Sequence, residues 1–349
     1  MPKYEYLMKA HTLDLAKDNI GGYFWSEKLD GTRCFWDGGI SRGILTSEVP
    51  YANTVKDGRY VEEPIATGLW SLSGKPIQAP DWFLDKLPEL TMLDGELWAG
   101  NGRFQEVRKV VSGLPGRSGW ENIKYMVFDL PSVAEILKPR EIKIRNEYSF
   151  FVSKDAFDWA YDRGIKLVYD EKPFEIRAMI LESFPNLSVV KNERLPLSNQ
   201  LAKEALERIM VKVLERGGEG VILRWGPSKY EVKRSHYILK YKPWFTSEGN
   251  VCGYFAGEEG KTGQLLGKIG AVLLDLDGNG FLKLSGFTHQ EREILDPETK
   301  AWAEDNPGKL IPHGYEHHIF KLMDRVEFKY RELSDDNIPK EARYFRVRD

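Results

Sequence analysis

Two cysteines in 349 residues, Cys34 and Cys252, are too few for a four-thiolate zinc site. They also lie too far apart in sequence to read as the disulfide framework of a secreted domain. No apolar stretch approaches the ~18 residues of a membrane span. The first eight residues carry charges where a signal peptide has its apolar run. Charge of one sign is lacking too: 50 basic residues stand against 53 acidic ones, a net charge of -3. That excludes a globally cationic nucleic-acid coat and leaves any such contact to a local patch. Repeats and low-complexity tracts are absent. What remains is a soluble globule of a reducing compartment, expected in the cytoplasm. Its 42% hydrophobic and 12% aromatic residues exclude a disordered chain. At ~150 residues per domain the length suggests about two domains.

The pattern along the chain divides near residue 243. Before it, aromatic-rich strands are expected over 23–28 and 33–36, the second closed by a hairpin turn at Asp37-Gly38-Gly39. Further strands fit 92–98, 124–129, 221–224 and 237–242, and helices fit 82–87, 154–163 and 199–216. In the last of these, Leu201, Ala202, Ala205, Leu206, Ile209 and Val213 form one apolar stripe, with Ser198 as a cap and Gly217-Gly218 as a stop. After Pro243-Trp244, short strands alternate with glycines (251–255, 271–276, 281–284, 325–330, 344–347), the pattern of a small β-barrel. Residues 1–242 hold 36 basic and 34 acidic side chains and 243–349 hold 14 and 19, so the second part is no simple cationic clamp.

The sharpest chemical signal is Lys28-Leu29-Asp30-Gly31-Thr32-Arg33 at a strand end. A desolvated lysine whose charge is removed is a nucleophile, and Gly31 lets the chain turn beside a ligand. Possible partners follow in order. Leu93–Trp98 carries Glu96, Val127-Phe128-Asp129 places an aromatic on a strand, and Gly217–Ile222 carries Glu219 in a glycine-rich approach. Lys240 and Lys242 share one strand face. An amine, two carboxylates for a divalent cation, an aromatic plate and phosphate-facing cations are the kit of nucleotidyl transfer through a covalent lysyl intermediate.

This ordered set resembles the covalent nucleotidyltransferase superfamily, and within it the minimal ATP-dependent DNA ligases of phage and bacterial type. The resemblance rests on Ser26–Gly31 with Arg33, Ser41-Arg42, Ile77–Pro80 and Leu93–Trp98. In the second part it rests on Gly253-Tyr254, Gly257, Lys261, Gly263, Gly267, Gly286–Thr288 and Glu291-Arg292. It implies an α+β fold: a nucleotidyltransferase (adenylation) domain of antiparallel sheets with flanking helices over 1–242, and an OB-fold β-barrel over 243–349. It implies that Lys28 attacks the α-phosphorus of ATP and carries AMP. AMP then passes to the 5′-phosphate of a nick in double-stranded DNA, and the 3′-hydroxyl displaces it.

In this scheme Ser26, Glu27, Arg33, Arg42, Glu96, Phe128, Lys240 and Lys242 bind the nucleotide, with Phe128 stacking on adenine. Glu96 and Glu219 serve Mg²⁺, with Mn²⁺ as an alternative ion. A monomer is expected by analogy, with roles in DNA repair, replication and recombination. Arg343, Arg346 and Arg348 resemble the family's last motif and are assigned to DNA contact, although the chain stops at Asp349 where many relatives continue to a lysine. Residues 43–76, with Tyr51, Lys56, Arg59, Tyr60 and Lys75, read as an insertion after Arg42. Arg224 stands where many relatives have lysine.

The alternatives are an RNA ligase, a capping-type guanylyltransferase and a non-catalytic OB-type nucleic-acid binder. An NAD-dependent ligase is disfavoured by the 27 residues before Lys28 and by the cysteine count. Asp275–Gly280 matches the start of a calcium loop but is expected to be a hairpin turn, because its flanks are strand-like. His313, His317 and His318 read as surface residues, and Cys34 as core.

Overall fold

The computed structural model describes residues 7–49, 51–52, 64–112, 116–132, 135–136, 141–144, 147–150, 172–258, 265–312, 314–334 and 336–348. The expected helix over 154–163, the insertion residues Lys56, Arg59 and Tyr60, and Lys261, Gly263 and His313 lie outside them. The chain divides into two units, Met1–Tyr241 and Lys242–Asp349. Strands outnumber helices in both, an α+β architecture.

The first unit contains, in order, β1 (Lys9–Thr12), β2 (Phe24–Glu27), β3 (Thr32–Asp37), β4 (Leu69–Ser71), α1 (Asp81–Leu84), β5 (Met92–Trp98), α2 (Phe104–Val111) and β6 (Lys124–Asp129). It continues with β7 (Glu141–Ile144), β8 (Glu147–Phe150), α3 (Phe174–Glu182), β9 (Ser188–Val189), β10 (Glu193–Arg194), α4 (Asn199–Glu215), β11 (Val221–Arg224) and β12 (Arg234–Tyr241). One five-stranded sheet runs β1-β12-β11-β2-β10 and a second runs β4-β3-β5-β6-β9. Helix α4 buries Ala202, Leu206, Met210 and Val213, one stripe at helical spacing, against Val221, Leu223 and Leu239 of the first sheet. Leu201, expected in that stripe, is 52% exposed, and Ser198 sits at the cap position without a side-chain cap bond. The stop behaves as a glycine C-cap should: Gly217 has φ +72°, and the Gly218 N–H reaches back to the Val213 carbonyl at 2.8 Å.

Gly38 and Gly39 both take φ +80°, but the turn they make is not a tight hairpin. The strand antiparallel to β3 on that side is β4, with Cys34 opposite Ser71, so some thirty residues separate the paired strands. That excursion is rooted by Asp37. Its buried carboxylate accepts from the Tyr51 hydroxyl (2.7 Å), the Trp70 indole N–H (2.8 Å), the Ser41 hydroxyl (2.5 Å) and the Gly39 N–H (2.9 Å). A buried carboxylate is costly without such donors. Here four of them make the polar knot the anchor of the excursion.

The second unit contains β13 (Phe245–Ala256), β14 (Ile269–Asp275), β15 (Phe281–Leu284), α5 (Pro297–Asp305), β16 (Arg325–Tyr330), β17 (Glu332–Leu333), β18 (Pro339–Lys340) and β19 (Arg343–Val347). The five longer strands run β15-β14-β13-β16-β19. A parallel bridge from Ser285, just after β15, to Arg343 links the two edges and closes the sheet around Val251, Val272, Leu274, Leu284, Phe320 and Phe328. The Asp275–Gly280 segment is a hairpin turn: Asp275 pairs with Phe281, and the Asp277 carboxylate is engaged by Arg325 at 2.6 and 2.9 Å. Helix α5 carries a start signal that the expected elements omit, Asp296 accepting from the Thr299 N–H (2.8 Å) with Pro297 following.

His317 corrects the reading of that residue as surface. It is 1% exposed. Its Nδ1 accepts the Ile319 and Phe320 N–H groups (3.2 and 3.3 Å), and its Nε2 lies 2.9 Å from the Glu293 carbonyl, which only an Nε2–H can satisfy. Burial, and then the neighbouring His318, push its pKa down to about 4. The folded state thus holds this ring neutral while the unfolded chain takes a proton near the ordinary value of ~6.5. Its stabilisation is complete above pH ~6.5 and is lost as pH falls towards 4. Denaturant midpoints measured across that window should fall with acidity, and His317→Gln should flatten the dependence.

Candidate active site

Between the two sheets of the first unit lies a cleft of about 330 Å³. Its lining includes Ser26, Glu27, Lys28, Arg33, Glu96, Phe128, Arg224 and Lys240, with Leu29, Leu72, Val190, Ile222 and Ile238 as apolar wall. Seven strands contribute through register. Ile222 pairs with both Ser26 and Lys240 in the first sheet, and Arg33 pairs with Glu96 in the second. The Lys28 N–H donates to the Gly220 carbonyl at 2.8 Å, which continues the β2–β11 ladder up to the amine-bearing residue.

At one end of the cleft the Lys28 ammonium donates to Glu219 Oε2, with the two side chains 24% and 15% exposed. Glu96 lies close enough to feel both. Desolvation raises its pKa to about 8, against the pull of Lys28 and Arg33 and with the repulsion of Asp94 and Glu219. Its carboxyl is therefore held far above the ordinary carboxylate range.

The other end is built from guanidinium groups and buried carboxylates. Arg33 donates from Nε and Nη2 to Asp94 (3.0 and 2.6 Å) and from Nη2 to the Met8 carbonyl (2.6 Å), and Tyr230 donates to Asp94 at 2.7 Å. Burial works against the Arg33 charge, but Asp94 outweighs it and holds the pKa above its ordinary value. Arg177 donates to both oxygens of Asp129 (2.6 and 3.2 Å) and to the Lys172 and Ser228 carbonyls (2.5 and 3.1 Å). Arg224 is less well compensated. Its Nη1 lies 3.2 Å from Ser26 Oγ, and its buried Nε has no hydrogen-bond partner. Burial lowers its pKa to about 10, partly offset by Asp129 and Asp94. Its guanidinium carbon is 4.8 Å from the centroid of the Phe128 ring, and that of Arg33 is 5.4 Å from it. Phe128 is an aromatic plate among cations and not ordinary core.

Two expected residues lie elsewhere. Arg42 is held by Asp81 (2.6 Å) and Asp85 (2.7 Å) and lines a separate cavity with Trp36, Leu84 and Leu87. Arg42 falls within the excursion that separates β3 from its partner β4. Leu72, directly after β4, lines the cleft. Lys242 belongs to the second unit, where it lies 3.5 Å from Glu332. Arg343, Arg346 and Arg348 lie in the second unit too. Arg346 pairs with Glu327 (2.7 Å), and Arg348 with Glu248. Lys9 and Arg234 are cleft residues that the motifs did not announce, and Arg224, noted above for standing where many relatives have lysine, lines it too. The first two arrive by the parallel pairing of β1 with β12, which sets Lys9 opposite Arg234.

No protein-family model matches the chain. A curated DNA ligase of Haemophilus influenzae is 27% identical over 340 residues, covering 97% of this chain and 91% of its own length. Among solved structures, a Lig E DNA ligase, studied for DNA binding with a minimal scaffold, superposes with a TM-score of 0.61 at 24% identity. The match covers 98% of both chains. A structure named Pmar-Lig has a TM-score of 0.60 at 20% identity, with 99% of this chain and 67% of that one covered.

Proposed function

We infer that the chain is a minimal ATP-dependent DNA ligase, and that the cleft performs its first chemical step. The observation that carries this reading is the gathering of Lys28, Glu96, Phe128 and Lys240 around one cavity, with Glu219 paired to Lys28. Lys28 Nζ attacks the α-phosphorus of ATP, an N–P bond forms, and pyrophosphate leaves. AMP then passes from Lys28 to the 5′-phosphate of a nick in duplex DNA, and the 3′-hydroxyl displaces AMP as the phosphodiester closes. The Lys28–Glu219 ion pair must part before attack, because the amine needs its lone pair.

Phe128 stacks on the adenine. Arg224, beside that ring with an unsatisfied N–H, suits a ring-nitrogen acceptor of adenine. Glu96 faces the ribose hydroxyls, and Lys240 faces the phosphates. Arg33 spends its Nε and Nη2 on Asp94 and Met8, which makes it a tie between the sheets as much as a phosphate contact. Among the described residues no three His, Cys, Asp or Glu side chains form a ready-made metal cage. The two carboxylates fit an ion such as Mg²⁺ that takes further oxygens from nucleotide phosphates. When bound it supplies charge neutralisation at those phosphates.

We read Met1–Tyr241 as the adenylation domain and Lys242–Asp349, with its closed five-stranded sheet, as an OB-type barrel. The protein acts as a monomer on nicked duplex DNA in the cytoplasm. No helix among the described residues is long and apolar enough to cross a membrane.

Incubation with α-labelled ATP, GTP or NAD and Mg²⁺ tests the reading. Label transferred from ATP to the protein supports it. Label from GTP alone points to a guanylyltransferase, and no label from any of the three points to a non-catalytic binder.

The protonation of Glu96 gives a pH signature. Because kcat/KM reports groups of the free enzyme, adenylation at low ATP should rise through pH ~8 as this carboxyl ionises. Initial rates of Glu96→Gln should be low and should lack that limb. A wild-type profile flat from pH 7 to 9 would contradict the assignment.

A further inference from the structure

Three short segments carry Lys28, Glu96 and Glu219, and one hydrogen-bonded cluster joins all three. Glu27 directly precedes Lys28. Asn101 follows β5, five residues after Glu96. Arg216 caps α4, three residues before Glu219. Asn101 Nδ2 donates to Glu27 Oε1 at 2.9 Å and to the Arg216 carbonyl at 3.1 Å, using both of its hydrogens. Arg216 Nη2 lies 3.2 Å from Glu27 Oε2. Gly218 is shaped to this arrangement: a Cβ there would lie 2.7 Å from Glu27 Oε1 and 2.6 Å from Val213 Cγ1. A side chain at 218 would push the carboxylate off its partners.

We propose that Asn101 is a positioning residue for nucleotidyl transfer, clamping the Glu27 carboxylate to the end of α4 and thereby fixing Glu96 opposite Lys28 and Glu219. The inference rests on the ligase reading of the cleft. Its logic is topological. Lys28 and Glu219 already share a sheet, tied by the β2–β11 ladder. Glu96 is on β5 of the other sheet. The far end of the cleft is tied between sheets by Arg33 with the Met8 carbonyl and by Tyr230 with Asp94. At the Lys28 end the Asn101 clamp makes that connection. It is partly exposed, so it adds little to global stability. A small displacement of a reacting group can nevertheless cost ten- to a hundredfold in rate, on the order of magnitude general for misplaced reactants. In this role Glu27 works through Asn101 and Arg216.

Single-turnover adenylation of the full-length protein, with α-labelled ATP over a concentration series, separates the possibilities. Wild-type protein that takes no label on Lys28 overturns the ligase reading itself. If it labels, Asn101→Ala should lower the maximal rate about tenfold or more, with the half-saturating ATP concentration and the melting temperature little changed. Asn101→Asp keeps the shape, removes both donors and should be at least as slow, which covers an alanine variant that folds poorly. Because Glu27 and Asn101 act within one hydrogen-bonded cluster, the Glu27→Ala/Asn101→Ala double variant should be no slower than the slower single. A wild-type maximal rate in either Asn101 variant overturns the clamp. So does a rate loss that tracks thermal destabilisation, or fully multiplicative losses in the double variant.

Discussion

Lys28→Ala should lose nick sealing by a factor on the order of 10⁴ or more, the scale on which deleting a covalent nucleophile acts. In the proposed reaction this amine is the atom that forms the N–P bond. Lys9 and Lys240 line the same cleft from β1 and β12, while the Lys28 ammonium donates to Glu219. The loss should be specific to the first two chemical steps. Given a nick whose 5′-phosphate already carries AMP, the 3′-hydroxyl can attack without the lysine, so the variant should still close that substrate. Gel assays on the two DNA substrates measure both expectations. Equal failure on both would mean that the substitution had damaged the site at large.

Asp129→Ala should be the most destabilising of the site substitutions. The carboxylate is 3% exposed and takes two bonds from Arg177, itself 2% exposed. Asp129 is also the larger of the two carboxylate attractions on Arg224, whose pKa already falls to about 10. Its removal leaves two buried guanidinium groups short of a counter-ion beside Phe128. Breaking one partner of a buried pair costs about 3–5 kcal/mol. At roughly 2–4 °C per kcal/mol for a unit of this size, the melting temperature should fall by ~10 °C. Asp129→Asn keeps the shape and one acceptor and should cost less. Nucleotide binding should weaken as well, because Arg224 and Phe128 would lose their setting. Calorimetry and ATP titration together read the two effects.

What the sequence disclosed followed from locality. Strands such as Met92–Trp98 and Lys124–Asp129 announce themselves by apolar and aromatic runs between turn residues. The proposed nucleophile and its carboxylates sit in short motifs on or beside such strands, so their order alone indicates the chemistry. What depended on pairing between distant segments was not legible. Arg42 and Leu72 could be told apart only once β4 was seen beside β3. Lys9 and Arg234 reach the cleft through a parallel pair with more than two hundred residues between its strands. His317 looks like a loop residue because its neighbours are polar, yet its ring replaces backbone partners inside a core. Arg346 and Arg348 read as cations seeking phosphate, and in the folded unit Glu327 of β16 and Glu248 of β13 pair with them. Asn101 gives no motif at all. Its meaning comes from touching two segments that flank the reacting groups.

The central claim is a covalent bond at one atom, and peptide mapping reads it directly. Protein incubated with ATP and Mg²⁺, without DNA, is quenched, digested and analysed by mass spectrometry. The account predicts one AMP per chain, acid-labile as a phosphoramidate should be, on the peptide that contains Lys28 and on that side chain. AMP found on another residue, or a chain that stays unmodified while it still seals nicks, would contradict it.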